Sequence, residues 1–185
     1  MRPLLLEAEK RTWMIFRQDR MFSQKNYISL DSTDFSVYDP KPFDPKWFSF
    51  KINRAGIRYE VGLCIATGFI VWFNGGYKAG YFNDLQLARQ GFTSELLPGE
   101  RAVADKGYSD KEFFVTPLCP SYNKKLLKAI MARHENVNQR IKLFQCMRQM
   151  FRHGWKKHRL CFEAVLKLVQ VKLQNGQPLA PISIT

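Results

Sequence analysis

Three strand-like stretches come before the first interior helical pattern, and that order commits the chain to a mixed sheet. Tyr27-Ile28-Ser29-Leu30-Asp31 reads as a strand that continues through Phe35 and Val37. Arg58 to Ala66 and Phe69 to Asn74 are two more apolar runs. Thr67-Gly68 between them is a tight-turn signal, so they predict a hairpin, ended by Asn74-Gly75-Gly76. Asp39 to Pro45 holds three prolines and predicts a loop. Beyond Gly80 the patterns alternate. Asn83 caps a helix over Asp84 to Arg89, Ser94 to Leu97 is a second short helix, and Arg101 to Asp105 and Phe113 to Thr116 are strands. A long helix is expected from about Asn123 to about Phe151, and a last one from about Lys157 to Leu173. Strand–helix alternation implies parallel pairing with right-handed crossovers. The predicted fold class is therefore α/β, a mixed sheet of roughly five strands flanked by helices. Residues 1–24, with a helical pattern over Leu4 to Met21, read as an N-terminal segment, and 25–180 as one domain.

The chain has ample material for a core: 45% of its residues are hydrophobic and 14% aromatic, which argues against disorder. The apolar runs, such as Gly68 to Phe73, are too short to span a bilayer. Met1-Arg2-Pro3 and Leu4-Leu5-Leu6 imitate a signal peptide, but Glu7, Glu9 and Lys10 interrupt it, so secretion is not expected. Cys64, Cys119, Cys146 and Cys161 are widely spaced, without a CxxC pair, and predict reduced thiols. The expected setting is the nucleus in a eukaryote and the cytoplasm otherwise. His153, His158 and Cys161 lack a second ligand pair at finger-like spacing, so a basic helix with one buried Cys is preferred over zinc.

The formal net charge is +13, and between Ser121 and Leu160 eleven Lys and Arg face a single acid, Glu135. Lys124, Lys125, Lys128, Arg133, Arg140, Lys142, Arg148, Arg152, Lys156, Lys157 and Arg159 therefore carry most of the excess. An ordinary solvated helix face mixes both signs. A one-signed face concentrates phosphate polyanions, so the expected partner is DNA. The cations are scattered around the helix, not set opposite one apolar face, which disfavours a membrane. Trp155 adjoins Lys156, Lys157 and Arg159, which makes it the best of the four tryptophans for stacking on a base.

Three acids stand where catalytic carboxylates are expected. Asp31 lies in the first strand with Thr33 on its face of the sheet and Asp34 on the other. Asp105 ends the apolar run Ala102-Val103-Ala104, at the carboxyl end of a strand, where ligands gather in α/β sheets. Glu135 lies in the long helix, off the stripe of Ile130, Val137, Ile141 and Phe144. Two strand carboxylates and one from a helix make a hard, oxygen-rich set that suits Mg²⁺ or Mn²⁺. Two such ions can activate the attacking oxygen and stabilise the leaving oxygen of a phosphodiester. No GKS or GKT follows Gly75-Gly76 and Gly80, and no serine has a GxSxG setting.

Leu30-Asp31-Ser32-Thr33-Asp34 resembles the Asp-Gly-Thr motif of the Harbinger-like and related DDE superfamily endonucleases, with Ser32 in place of the usual Gly. Asn74-Gly75-Gly76, Gly80 and Asn83-Asp84 resemble that family's loop after the third strand. Ala104-Asp105-Lys106-Gly107-Tyr108 is similar to its second catalytic segment, and Arg133-His134-Glu135-Asn136-Val137-Asn138, followed by Lys142, to its third. The resemblance covers about Tyr27 to Leu179. It implies a ribonuclease H-like nuclease domain over 25–180 with Asp31, Asp105 and Glu135 as catalytic metal ligands, two Mg²⁺ or Mn²⁺ ions, and Asp84 as an accessory residue. It also implies transposase-type cleavage and strand transfer of DNA.

Members of the family carry a DNA-binding domain ahead of the catalytic core, and the thirty residues before Asp31 are too few for one. A separate DNA-binding partner protein, or a homo-oligomer, is the company this reading expects. The alternative from another class is a catalytically inactive, domesticated DNA-binding or scaffold protein that keeps the fold. A cellular nuclease of the same fold is disfavoured by the Asp-Lys-Gly-Tyr segment.

Overall fold

The computed structural model describes residues 28–120 and 122–182. The helix expected over Leu4 to Met21 and the segment 1–24 lie outside the described residues. The chain is a mixed α/β protein built on a six-stranded sheet. Its strands are β1 (Ile28–Ser36), β2 (Phe48–Ser49), β3 (Arg54–Cys64), β4 (Ile70–Lys78), β5 (Ala102–Ala104) and β6 (Phe114–Val115). The helices are α1 (Asp84–Ala88), α2 (Lys124–Lys142), α3 (Gln145–Arg148) and α4 (Trp155–Gln174), with 3-10 turns at Pro45–Trp47 and Thr93–Glu95.

β3 is the hub. It pairs antiparallel with β1 along one edge, and with β2 and β4 along the other. β5 adds to the free edge of β1 in parallel, and β6 follows parallel to β5. The order is β2-β3-β1-β5-β6, with β4 also on β3. Both faces are covered, so every residue of β3 after Arg54 is buried, and alternation of polar and apolar residues gives way to a near-continuous apolar run. On one face, Phe35, Tyr59, Val61 and Leu63 pack under α2 and α4 through Val137, Ile141, Phe162, Val165 and Val169. On the other, Ile28, Leu30, Ala102 and Ala104 pack with Phe92, Tyr108 and Phe114.

Three details depart from the sequence reading, each for a local reason. Asn74-Gly75-Gly76 does not end the hairpin. β4 continues to Lys78 through a bulge in which Tyr59 faces Gly75 and Arg58 faces Tyr77. The bulge demands glycine: Gly75 has φ 134°, and a Cβ there would lie 2.5 Å from the Tyr59 Cα. The loop after β1 contains the 3-10 turn and the two-residue β2, too short to leave a periodic signal.

The helix expected to run to Phe151 ends at Lys142, because Phe144 leaves it with ψ 125°. The chain then lies beside the end of β1, where Phe151 N–H donates to Ser36 O at 3.0 Å and Tyr38 N–H to Phe151 O at 3.2 Å. Those backbone bonds require an extended chain that an unbroken helix could not supply. No helix among the described residues is long and apolar enough to cross a membrane.

Candidate active site

Asp31 sits midway along β1, and Asp105 is the first residue after β5. Leu30 and Ala104 are partners in the parallel register, so one step further sets Asp31 beside Asp105, where β5 ends and the β1 edge opens. Both side chains are half-buried. The Asp31 carboxyl is pushed up to about 6, first by burial; Asp105 and Asp84 add to the rise, while the Lys51 ammonium and the Ser32 backbone oppose it. Asp105 Oδ1 accepts from Gly107 N–H at 2.8 Å. Gly107 lies between two aspartates: a Cβ there would meet Asp105 Oδ1 at 3.0 Å and Asp84 Oδ2 at 3.1 Å.

Asp84 opens α1, behind an Asn83–Gln86 capping box. Its carboxylate is already neutralised by protein cations. Ser32 Oγ donates to its Oδ1 at 2.5 Å, Lys51 Nζ lies 3.2 Å from Oδ2, and Arg58 Nη1 lies 3.2 Å from Oδ1. Arg58 also grips Asp34 through Nε and Nη2, both at 2.8 Å, and Ser49 Oγ donates to Asp34 at 2.5 Å. Asp84 and Asp34 therefore belong to a structural network, in contrast to Asp31 and Asp105. Arg58 and Glu60 are charges inside a mostly apolar strand, a signal visible in the sequence. Lys51 left no sequence signal, since it reaches Ser32 and Asp84 from a loop.

Glu60, on β3, is fully buried opposite Ser32. Its Oε1 accepts from Tyr108 OH at 3.0 Å, and its Oε2 has no hydrogen-bond partner among the described residues. Burial pushes its carboxyl up to about 8. The Tyr108 hydroxyl thus fastens the Asp105-Lys106-Gly107-Tyr108 turn to the central strand.

α2 crosses above this pair of strands. His134 Nε2 meets Ser29 Oγ at 2.8 Å, and one turn later Asn138 Nδ2 donates to Asp31 Oδ2 at 3.2 Å. Glu135 is exposed and takes no part in these contacts. The inward stripe of α2 is Leu127, Ile130, Arg133, His134, Val137 and Ile141; at about 100° per residue Glu135 falls well outside it, and Asn138 at its margin. The structure brings Asp31 and Asp105 together and leaves Glu135 apart. Among the described residues, no three His, Cys, Asp or Glu side chains are grouped closely enough to hold a metal ion. The Asp31–Asp105 pair, with oxygen donors at an open strand edge, fits a hard divalent ion as a two-carboxylate site.

The basic region divides. Lys124, Lys125, Lys128, Lys142, Arg148, Arg152, Lys156, Lys157 and Arg159 are exposed. Trp155 is 48% exposed, with Lys156 Nζ 5.9 Å from its ring centroid. Arg140 donates to Asn136 Oδ1 and Gln177 O. Arg133 is a correction to the sequence reading: it is buried, and its guanidinium donates to Ile65 O at 2.6 Å and to Ala180 O at 2.7 and 3.0 Å. It ties the C-terminal segment to the hairpin turn, because a buried guanidinium must spend its donors on acceptors. His158 is likewise internal, its Nδ1 2.9 Å from Tyr59 OH.

No family model matches the chain. The chain is 27% identical over 154 residues to a probable transposase for insertion sequence element IS702 from Microchaete diplosiphon, covering 75% of this chain and 54% of that protein. It therefore spans about half the length of the curated relative it matches.

Proposed function

We propose that this chain is a metal-dependent DNA nuclease domain of the transposase type, with a ribonuclease H-like fold, in which Asp31 and Asp105 hold the metal. The observation that carries the reading is the parallel register that sets these two half-buried aspartates side by side where β5 ends. Placement of the two acids on adjacent strands of a mixed sheet is what the DDE resemblance requires, and the likeness to a probable transposase points the same way. Mg²⁺ or Mn²⁺, as two ions, would supply activation of the attacking oxygen and stabilisation of the leaving oxygen. Asp31, pushed up to about 6, and Asp105 would hold the cation. Tyr108 and Glu60 hold the turn that carries Asp105. Asn138 orients the Asp31 carboxylate. Glu135 is the third ligand implied by the resemblance. The exposed Lys and Arg of α2 and α4 hold the polyanion.

The test is Asp105→Asn, which keeps the shape and removes one negative charge. It is expected to abolish Mg²⁺- or Mn²⁺-dependent nicking and to cut metal-induced thermal stabilisation, with DNA binding retained. Nicking equal to the parent's rejects the assignment. A parent that neither nicks nor gains stability from metal favours the inactive DNA-binding alternative.

A further inference from the structure

Two exposed aromatic side chains, on loops that reach the Ser32–Asp84 contact next to Asp31, are used by neither the core nor the chemistry above. Phe50 is 91% exposed, on the loop between β2 and β3, and Tyr81 is 53% exposed, on the turn after β4. An isolated exposed aromatic needs no explanation, but each of these two is braced by a neighbouring ring. The Phe50 ring stands edge-on to Phe48 at 5.1 Å, and Tyr81 edge-on to Phe82 at 4.5 Å. The turn that carries Tyr81 is joined to the 3-10 turn ahead of β2 by Gly80 N–H donating to Lys46 O at 2.9 Å, and Lys46 Nζ lies 5.3 Å from the centroid of the Tyr81 ring. At Gly80 the approach is so close that a Cβ would sit 2.7 Å from Phe48 O.

Both loops are pinned to Asp84, which also accepts from Ser32, the neighbour of Asp31. Lys51, next to Phe50, donates from Nζ to Ser32 O and Oγ and reaches Asp84. Arg58 Nη1 donates to Phe82 O at 2.9 Å while lying 3.2 Å from Asp84. The Lys51 ammonium also acts on Asp31, opposing the rise that burial gives its carboxyl. Through Lys51 the aromatic edge adjoins the site proposed to cleave DNA, and it carries the exposed Lys46 ammonium.

We propose that Phe50 and Tyr81, with Lys46, grip an unpaired nucleotide of the DNA strand next to the Asp31–Asp105 site. Within a duplex both faces of a base are stacked on neighbouring bases. A protruding aromatic ring therefore finds a free π-face only where a base is unpaired, while the nearby ammonium meets its phosphate. This inference rests on the nuclease reading for its substrate, but its own content is a preference for unpaired over fully paired DNA.

The test uses the full chain in EDTA, so that binding is read without cleavage. The probes are a blunt duplex and the same duplex with a short single-stranded tail carrying 2-aminopurine. The parent should bind the tailed probe more tightly and quench its fluorescence. Phe50→Ala and Tyr81→Ala should each weaken tailed-probe binding roughly 5- to 100-fold, leave blunt-duplex binding unchanged and lose the quench. Phe50→Trp should restore both. Melting temperatures equal to the parent's show that the variants are folded. Unchanged binding of the tailed probe by both Ala variants overturns the proposal, as does an equal loss on both probes. Loss of self-association without loss of tailed-probe binding overturns it in favour of a protein interface. Failure of the nuclease reading would show instead as absent nicking with the tailed-probe preference intact.

Discussion

Asn138 donates from Nδ2 to the Oδ2 of Asp31 at 3.2 Å, across 107 positions of sequence, while Glu135, one turn earlier on the same helix, faces solvent. The helix residue nearest the strand carboxylates is thus an amide, which can orient a carboxylate without adding repulsion. Asn138→Ala should lower stability by about 1 kcal/mol for the lost hydrogen bond. Asn138→Asp should destabilise the metal-free protein and enlarge the rise in melting temperature on adding Mn²⁺, since it sets a carboxylate beside Asp31. Glu135→Gln should change metal-free stability by less than about 0.5 kcal/mol, as expected of an exposed side chain. Thermal melts with and without Mn²⁺ check all three, and a larger Mn²⁺ response in Asn138→Ala than in Asn138→Asp would contradict the geometry.

Glu60 makes stability depend on pH in a stated direction. Its folded carboxyl is raised from 4.5 to about 8 by burial, so the folded state holds the proton more tightly than the unfolded one. The cost of burying its charge is absent below the unfolded value, grows as pH rises, and is complete above the folded value. Glu60→Gln should therefore match the parent near pH 4 and exceed it by about 1–3 kcal/mol at pH 8.5. Denaturant titrations at the two pH values read the difference, and a stability gap that narrows with rising pH would refute the assignment.

Arg133 and the Lys156–Lys157–Arg159 cluster should separate into strut and surface. Arg133→Ala leaves the carbonyls of Ile65 and Ala180 without their donor. It should cost about 1.5–3 kcal/mol, with the salt dependence of DNA binding unchanged. Alanine at Lys156, Lys157 and Arg159 should change stability little, lower DNA affinity, and flatten the slope of log K against log salt by about 0.9 per lost phosphate contact. Paired melting and salt-titration curves test this. An unchanged slope in the triple variant would reduce the cluster to a solvated face.

The legible part of this chain was local. Alternation along β1 sent Asp31 and Asp34 to opposite faces, and the structure has Asp34 bound to Arg58 and Ser49 while Asp31 lies under α2. The position of Asp105 at a strand end and the one-signed charge of 121–160 were likewise visible in the order of residues. Side-chain alternation and strand ends need only neighbouring residues to define them.

Tertiary structure decided which groups meet. Arg133 and the exposed lysines look alike as cations in a sequence, but the packing of Leu127, Ile130, Val137 and Ile141 sets the rotation of α2, and that rotation turns Arg133 inward and Glu135 outward. The same rotation, and not the motif, presents Asn138 to Asp31. Lys51 and Arg58 reach Asp84 from 33 and 26 positions away because β3 hydrogen-bonds beside β1 and the bulge at Gly75–Gly76 carries the chain on to α1. A sequence specifies its periodicities by itself, whereas the phase of a helix over a sheet and the meeting of distant side chains follow from burying both apolar faces at once.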